Sequence, residues 1–342
     1  MPTLVTGGSG YFGEIVISRL LERGDRVKIL DRVQNDDRPP DVELVRGDVR
    51  DRDVVERAMQ GVDVVHHNVA QVPLAKHRDE FWSVNVQGTR HVLEAALRAS
   101  VRKVILVSSS AVYGVPPHNP VTRRTEPHPG EAYGQAKLAG EAVARELAAR
   151  GLDVSVVRPR TILGHGRLGI FQILFELVRR GRPIYVLGRG DNRYQFVHAD
   201  DLAAACLLAD QRPGPATYLC GTDRFGTMRE LLEGLAAHAG TNSRVRSLPF
   251  RATEIAMRLT GRLGLSPLGD YHALMYGREL FFDISDTQAE LGWRPRWSND
   301  EMIAESYDYY VAHRAEIMSR TDASHHRSPV KLGILKLLEI LP

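Results

Sequence analysis

The segment Tyr133-Gly134-Gln135-Ala136-Lys137 places a tyrosine and a lysine four positions apart, on one face of any helix that contains them. A free tyrosine, with a pKa of about 10, is a poor base at neutral pH. A neighbouring ammonium favours the phenolate, so Tyr133 can exchange a proton with a substrate hydroxyl. Upstream, Ser108-Ser109-Ser110 closes the apolar run Lys103–Val107, and a serine hydroxyl there can hold the same substrate oxygen. The implied chemistry is proton transfer at an alcohol or ketone oxygen. A Tyr-x-x-x-Lys spacing alone is common on solvated helix faces, so its meaning depends on what surrounds it.

A second constellation supplies that context. Thr6-Gly7-Gly8-Ser9-Gly10-Tyr11-Phe12-Gly13 follows a first apolar strand and opens a first helix. Glycines in this position allow a tight turn and a close approach of backbone to a pyrophosphate seated on the helix N-terminus. Asp31 ends the next strand, about 20 residues on, where a carboxylate accepts hydrogen bonds from ribose hydroxyls and repels a 2′-phosphate. NAD is therefore favoured over NADP, with Arg32 pulling the other way because an arginine can pair with a phosphate. The positive nicotinamide of such a cofactor would join Lys137 in favouring the Tyr133 phenolate. The competing reading of the glycines is a turn that serves only helix–sheet packing.

These groups need a scaffold that brings them to one edge. Thr3–Val5, Arg26–Leu30, Val42–Val45, Gly61–His66, Lys103–Val107 and Val154–Val157 read as strands. Between them, Glu14–Arg23, Phe81–Ala99 and Glu131–Ala149 read as helices. Strands alternating with helices imply βαβ crossovers, hence an α/β fold with a Rossmann-type doubly wound parallel sheet. Ligands then sit at the carboxyl edge, where Ser108–Ser110 lies. After Gly164 the rhythm breaks at Gly164-His165-Gly166-Arg167 and Gly181-Arg182-Pro183, with helices expected at 170–180, 200–209, 228–239, 253–261 and 299–313. The organisation is an NAD-binding domain over 1–165, its sheet completed by parts of 183–222, and a smaller substrate-binding α/β subdomain over 166–320. A linker and an apolar amphipathic tail fill 321–342. That tail is too short to span a bilayer; it reads as a docking helix or as an interfacial membrane anchor.

Composition narrows the class. The 342 residues carry 45 Lys+Arg against 42 Asp+Glu, with 43% hydrophobic and 25% charged residues, the profile of a soluble globular protein. This excludes a disordered or collagen-like chain and leaves no electrostatic footprint for nucleic acid. Cys206 and Cys220 are too few for a disulfide scaffold. Without an evident signal peptide or spanning helix, a cytoplasmic location is expected.

Taken together, TGGSGYFG at Thr6–Gly13, GDVRD at Gly47–Asp51, SSSAVYG at Ser108–Gly114, YGQAK at Tyr133–Lys137, RPRTILG at Arg158–Gly164 and FVHADDLA at Phe196–Ala203 resemble the extended short-chain dehydrogenase/reductases. That superfamily includes nucleotide-sugar epimerases and dehydratases and 3β-hydroxysteroid dehydrogenases. The resemblance, covering about Met1 to Tyr310, implies that Gly7, Gly10, Tyr11, Phe12, Gly13, Asp31, Arg32, Asp48, Val49, Val69, Ala70 and Pro159 bind NAD. It implies that Ser109 holds the reacting oxygen, that Tyr133 is the acid/base, and that Lys137 lowers its pKa and grips the ribose. Asn85 matches a structural asparagine. A homodimer through Phe81–Ala99 and Glu131–Ala149 is also implied.

Departures from the pattern bear on the substrate. The acidic pair of the 4,6-dehydratases is replaced by Ser110 and Ala111, so elimination of water is not expected. The asparagine that nucleotide-sugar enzymes carry three residues after Arg158 is Thr161 here, and their Arg-Asp before Phe196 is Tyr194-Gln195. A diphosphate needs charge-assisted donors; Arg193, Arg189 and Arg278 are the candidates to replace the missing ones. The Arg158-Pro159 pair, Gly188–Asn192 and the stretch Thr253–Pro267 ahead of Phe281–Ser285 look more like the 3β-hydroxysteroid dehydrogenase branch. A sterol-like or lipid-like secondary alcohol is the leading expectation. A nucleotide-sugar 4-epimerase that recycles bound NAD is the alternative, and a non-catalytic NAD-binding sensor the third. His66-His67 and His325-His326 lack metal-ligand spacing, so no metal is expected. Asp200-Asp201 after His198 reads as a helix cap, Cys206 as inert core, and Arg123-Arg124 and Arg179-Arg180 as solvated pairs.

Overall fold

The computed structural model describes residues 1–33, 38–72, 78–167, 169–263 and 274–319. In chain order the first half comprises β1 (Pro2–Thr6), α1 (Tyr11–Glu22), β2 (Arg26–Asp31), β3 (Glu43–Arg46), α2 (Arg52–Ala58), β4 (Val64–His67), α3 (Arg78–Trp82), α4 (Thr89–Arg98), β5 (Lys103–Val107), α5 (Ala132–Ala149) and β6 (Val154–Pro159). The second half adds β7 (Thr161–Leu163), α6 (Phe171–Arg179), β8 (Ile184–Leu187), β9 (Phe196–His198), α7 (Ala199–Ala209), β10 (Thr217–Cys220), α8 (Met228–His238), β11 (Val245–Leu248), α9 (Phe250–Arg262), α10 (Ser285–Leu291) and α11 (Asn299–Ser319).

The main sheet has seven parallel strands in the order β10-β6-β5-β4-β1-β2-β3. Its inner strands β4, β5 and β6 are buried along their whole length without alternation because helices cover both faces. Leu4 of β1 packs with the α2, α4 and α5 layer, and the next residue, Val5, packs with α1 on the opposite face. β1 lies between β2 and β4, so strand order reverses there and leaves a crevice at the carboxyl ends. Lys103 is buried within β5; its Nζ donates to Asp153 Oδ1 at 2.6 Å and to the Gly214 carbonyl at 2.8 Å.

The segment expected as one helix over 81–99 is three pieces: α3, a π-helical stretch at Ser83–Gly88, and α4. A π-turn is typical of helices that serve a site. Here it sets the Asn85 side chain against Gln71, whose N–H donates to Asn85 Oδ1 at 2.8 Å while Asn85 Nδ2 donates to the Gln71 carbonyl at 3.0 Å.

The second half divides between two layers. β10 joins the main sheet, α7 packs on α1, and α10 packs on β10. The parallel pairs β7–β9 and β8–β11, with α6, α8 and α11, enclose a separate core built on Phe175, Phe196, Leu231, Leu235 and Tyr310. Among the described residues no helix is long and apolar enough to cross a membrane. The 321–342 tail and His325-His326 lie outside the described residues.

Candidate active site

A cavity of about 680 Å³ begins at the carboxyl ends of the central strands and continues beneath the second layer. Every residue assigned above to catalysis or to the cofactor lines it: Gly7, Gly10, Tyr11, Phe12, Gly13, Asp31, Arg32, Asp48, Val49, Val69, Ala70, Ser109, Tyr133, Lys137 and Pro159.

The glycine turn is built for close approach. Gly7 has φ +71°, and a Cβ there would lie 3.1 Å from the Val69 backbone nitrogen. A Cβ on Gly13 would overlap the Gly7 carbonyl oxygen, so α1 can begin directly against the turn only with glycine at this position. Gly8 instead packs on Ile29 and Ile17. Asp31 accepts from Ser9 N–H and Val33 N–H, both at 3.0 Å, which fixes its carboxylate at the cavity edge. Asp48 is clamped by Arg50, and that hydrogen-bonded pairing holds its carboxyl below the ordinary value. The buried side-chain Nδ2 and Oδ1 of Asn68, also on the wall, have no hydrogen-bond partner among the described residues. A bare glycine cradle at a helix N-terminus, a carboxylate one strand away and an unpaired amide between them fit a dinucleotide.

Tyr133 and Lys137 occupy the first turns of α5, which Glu131 caps through the Tyr133 and Gly134 N–H groups at 2.7 Å each. A Cβ on Gly134 would overlap the Ala111 carbonyl, so this glycine lets α5 press onto the 3₁₀ turn Ser110–Tyr113. That contact brings Tyr133 to Ser109, with which it shares a hydrogen bond. Lys137 Nζ donates to the Val107 carbonyl at 2.9 Å. Burial pushes the Tyr133 phenol up to about 12, opposed by Ser109 and Arg167. Burial likewise pushes Lys137 down to about 8, with Glu141 opposing. In this cavity the Lys137 ammonium is desolvated and engaged by the β5 carbonyl, and the influences opposing the rise of Tyr133 come from Ser109 and Arg167.

Below this site Glu141 receives hydrogen bonds from Ser108 Oγ at 2.6 Å, Arg158 Nε at 2.9 Å and Arg158 Nη2 at 2.5 Å, while Arg158 Nη1 donates to Tyr113 Oη at 2.6 Å. All four residues are buried. The network ties α5 to the ends of β5 and β6 and to the 3₁₀ turn.

The outer part of the cavity is lined by Phe171, Leu174, Leu177, Leu187, Met228, Leu232, Leu248, Met257, Met275 and Ile303, a wall of aliphatic, aromatic and thioether side chains. Two arginines on the wall were not singled out from the sequence. Arg160 is 1% exposed and donates to Ser110 Oγ at 2.8 Å, and Arg167 lies over the Tyr11 ring at 5.4 Å. The signal available was position: Arg160 follows Pro159 at the end of β6, and Arg167 follows the Gly164–Gly166 break. By contrast Arg193, Arg189 and Arg278, the candidate diphosphate grips, do not line the cavity. Arg193 lies over the Phe281 ring at 4.4 Å, Arg189 pairs with Asp191 at 2.9 Å, and Arg278 pairs with Glu254 at 3.0 Å.

The remaining candidates have structural roles. His67 is fully buried between Thr6 Oγ1 at 2.7 Å and Thr89 Oγ1 at 3.0 Å, and burial pushes it down to about 3, so it stays neutral. His66 bonds to Asp210 at 3.0 Å. His198, rather than Asp200 or Asp201, caps α7: its Nδ1 accepts from the Asp200 N–H at 3.1 Å. Asp201 instead accepts from the Arg296 and Trp297 N–H groups. Cys206 is buried, and burial raises its thiol far above the ordinary value. Arg123 is not simply solvated, since it pairs with Asp286 at 3.0 Å and Glu290 at 2.6 Å. Arg179 and Arg180 both pair with Glu176.

His165, His198 and Glu305 bring ligand atoms within 4.8 Å of one another. His198 Nδ1 accepts from backbone, so its proton sits on Nε2 and donates to Glu305 Oε2 at 2.9 Å. That tautomer leaves no lone pair for a cation, and the cluster is a hydrogen-bonded one.

Residues 3–221 match the model of the NAD dependent epimerase/dehydratase family. A Sinorhizobium fredii protein, the uncharacterized y4nG, is 52% identical over 98% of this chain and 85% of its own length. The 3 beta-hydroxysteroid dehydrogenase/Delta 5→4-isomerase of Mycobacterium tuberculosis is 28% identical over 96% of this chain and 95% of its own. The UDP-glucose 4-epimerase of Thermus thermophilus, solved with NAD, aligns at TM-score 0.73 and 27% identity over 91% of this chain and 99% of that one.

Proposed function

This chain belongs to the NAD dependent epimerase/dehydratase family, an enzyme family of Rossmann fold, and on that footing we propose that it moves a hydride at a secondary alcohol or ketone carbon of an apolar, sterol-like or lipid-like substrate. The observation that carries the substrate class is the outer cavity wall, which presents side chains such as Leu174, Met228 and Leu232 where a nucleotide diphosphate would need cationic forks. The similarity to a 3 beta-hydroxysteroid dehydrogenase supports the same reading.

In this reading Gly7, Gly10, Tyr11, Phe12, Gly13, Asp31, Arg32, Asp48, Val49, Val69, Ala70 and Pro159 hold NAD together with Tyr133 and Lys137. When bound, NAD supplies the hydride acceptor or donor. Ser109 donates to the reacting oxygen and, through its hydrogen bond, orients Tyr133. Tyr133 takes the hydroxyl proton during oxidation and returns it during reduction. Its value of about 12 makes the phenolate scarce at neutral pH, so Arg167 and Lys137 matter as cations that can draw it down. Asn85 holds the backbone of Gln71, the neighbour of Ala70 on the cavity wall. Homodimerisation through α3–α4 and α5 belongs to the same proposal, and sedimentation velocity tests it.

The alternative is a nucleotide-sugar 4-epimerase, favoured by the structural likeness to a UDP-glucose 4-epimerase. A thermal-shift panel on NAD-saturated protein separates the two. A ligand at 100 times its dissociation constant adds about 2.7 kcal/mol of stability. Silence with UDP, dTDP, GDP and CDP, together with a shift from sterols or long-chain secondary alcohols, is expected. A clear shift with one nucleotide would overturn the apolar reading. A non-catalytic sensor is disfavoured because Tyr133, Lys137 and Ser109 all meet in one cavity.

A further inference from the structure

Arg160 stands apart from the rest of the cavity wall. It follows Pro159, the last residue of β6, is 1% exposed, and carries a guanidinium on the wall of the largely apolar cavity. Only its Nη1 is matched by a side-chain acceptor, Ser110 Oγ at 2.8 Å. Its Nε and Nη2 are buried with no hydrogen-bond partner among the described residues. The Tyr194 and Phe282 rings lie 4.9 and 5.7 Å from the guanidinium carbon and offer π-electron density but no acceptor. No carboxylate pairs with it among the described residues, whereas the neighbouring Arg158 has Glu141.

A buried guanidinium with unmatched N–H groups is costly, by an amount that one good acceptor can recover. The unmatched atoms are informative. Nε and Nη2 form one edge of the planar fork, the pair that donates in parallel to the two oxygens of a carboxylate. A phosphate would be served by several cations, and a neutral carbonyl would leave one N–H unpaired. Arg160, Ser110, Ser109 and Tyr133 all line the same cavity, so whatever Arg160 binds shares it with the oxygen that Ser109 and Tyr133 would handle.

We infer that the substrate carries a carboxylate close to its reacting carbinol carbon, and that Arg160 binds this group edge-on at the inner end of the apolar cavity. The inference rests on the apolar-substrate reading and deepens it: the substrate is an apolar hydroxy acid, anionic at the reacting end and hydrocarbon-like at the other. Arg160 is thus a specificity-determining residue. It is distinct from the cofactor set because its partner Ser110 and the Tyr194 and Phe282 rings lie outside the glycine turn and its neighbours.

The test uses the full-length protein saturated with NAD, titrated with 3-hydroxydodecanoate, with its methyl ester and with 2-dodecanol. Calorimetry reads affinity, and NADH absorbance reads turnover. The wild type is expected to favour the acid over the ester by tenfold or more. Arg160→Met should abolish that preference while leaving NAD affinity and ester binding unchanged. Arg160→Lys should restore only part of it, because an ammonium is a point charge without the fork. Equal binding of acid and ester by the wild type would overturn the inference and leave the apolar reading standing. So would an Arg160→Met protein that keeps the preference, or one that loses NAD affinity alone. If none of the three probes binds while UDP or dTDP does, the apolar reading itself fails, and the inference falls with it.

Discussion

Glu141 and Arg158 form a buried ion pair beneath the candidate active site, with Arg158 Nη2 2.5 Å from Glu141 Oε2 and both residues 5% exposed or less. Glu141 lies one helical turn beyond Lys137 on α5, and Arg158 directly precedes Pro159, so the pair fixes the helix that carries Tyr133 against the end of β6. A pair so completely desolvated gains little over an apolar substitute but loses much when one partner is removed.

Glu141→Ala leaves the Arg158 guanidinium without its carboxylate and Ser108 without its acceptor. Stability should fall by about 3–5 kcal/mol, read as a lower midpoint in urea unfolding. A loss under 1 kcal/mol would mean that water or a shifted side chain replaces the carboxylate.

Tyr133→Phe removes the hydroxyl proposed to exchange the proton, with its hydrogen bond to Ser109, and keeps the ring that sits edge-on to Phe81 at 6.0 Å. Turnover should drop by about 10²–10⁴, with NAD affinity changed by no more than a few-fold. Retained turnover would place the acid/base elsewhere.

Lys137 gives a pH signature in stability. Its folded-state value, about 8, lies below the ordinary 10.5. Below pH 8 both states hold the proton, and the folded state bears the full cost of a buried ammonium. Between about 8 and 10.5 the unfolded chain alone keeps the proton, so stability rises with pH across that window. The gain is roughly 3 kcal/mol when complete. Denaturant melts of wild type and Lys137→Met at pH 7.5 and pH 10 should therefore show the wild type gaining on the variant. A constant difference would contradict a depressed Lys137.

Asp31 should decide the choice of dinucleotide. Asp31→Ser removes the charge that opposes a 2′-phosphate while Arg32 remains on the cavity wall. The ratio of kcat/KM for NADP over NAD should rise by roughly tenfold, a change of about 1.4 kcal/mol. An unchanged ratio would show that the carboxylate, held by Ser9 and Val33 N–H groups, does not face the ribose.

Much of this protein was legible along the chain because its determinants are local. The glycine turn, the Tyr133–Lys137 spacing and the apolar runs each depend on a few neighbouring residues. The doubly wound sheet follows from their alternation, and the seven-stranded parallel order agrees with it. The residues proposed for cofactor and catalysis converge on one wall because strand ends in such a sheet all point to the same edge. Less was legible where structure depends on distant partners. The π-helical stretch at Ser83–Gly88 answers to the loop at Gln71 and to the close face of α5, and its residues look helical in isolation. β7, β8, β9 and β11 are three- and four-residue strands whose partners lie far along the chain, as with Thr161 opposite Phe196. Arg123 looked like a surface charge until α10 was placed beside it.

The sequence by itself thus determined the sheet, the glycine cradle and the candidate trio Ser109, Tyr133 and Lys137, since residue type and short spacing specify them. Only the tertiary structure decided the character of the outer cavity. Packing of α6, α8, α9 and α11 against the sheet edge lines the outer cavity with apolar side chains and sends Arg193, Arg189 and Arg278 elsewhere. The same packing buries Arg160 with one edge of its fork unmatched. Burial and pairing are sums over contacts between segments remote in sequence, and no pattern along the chain records them.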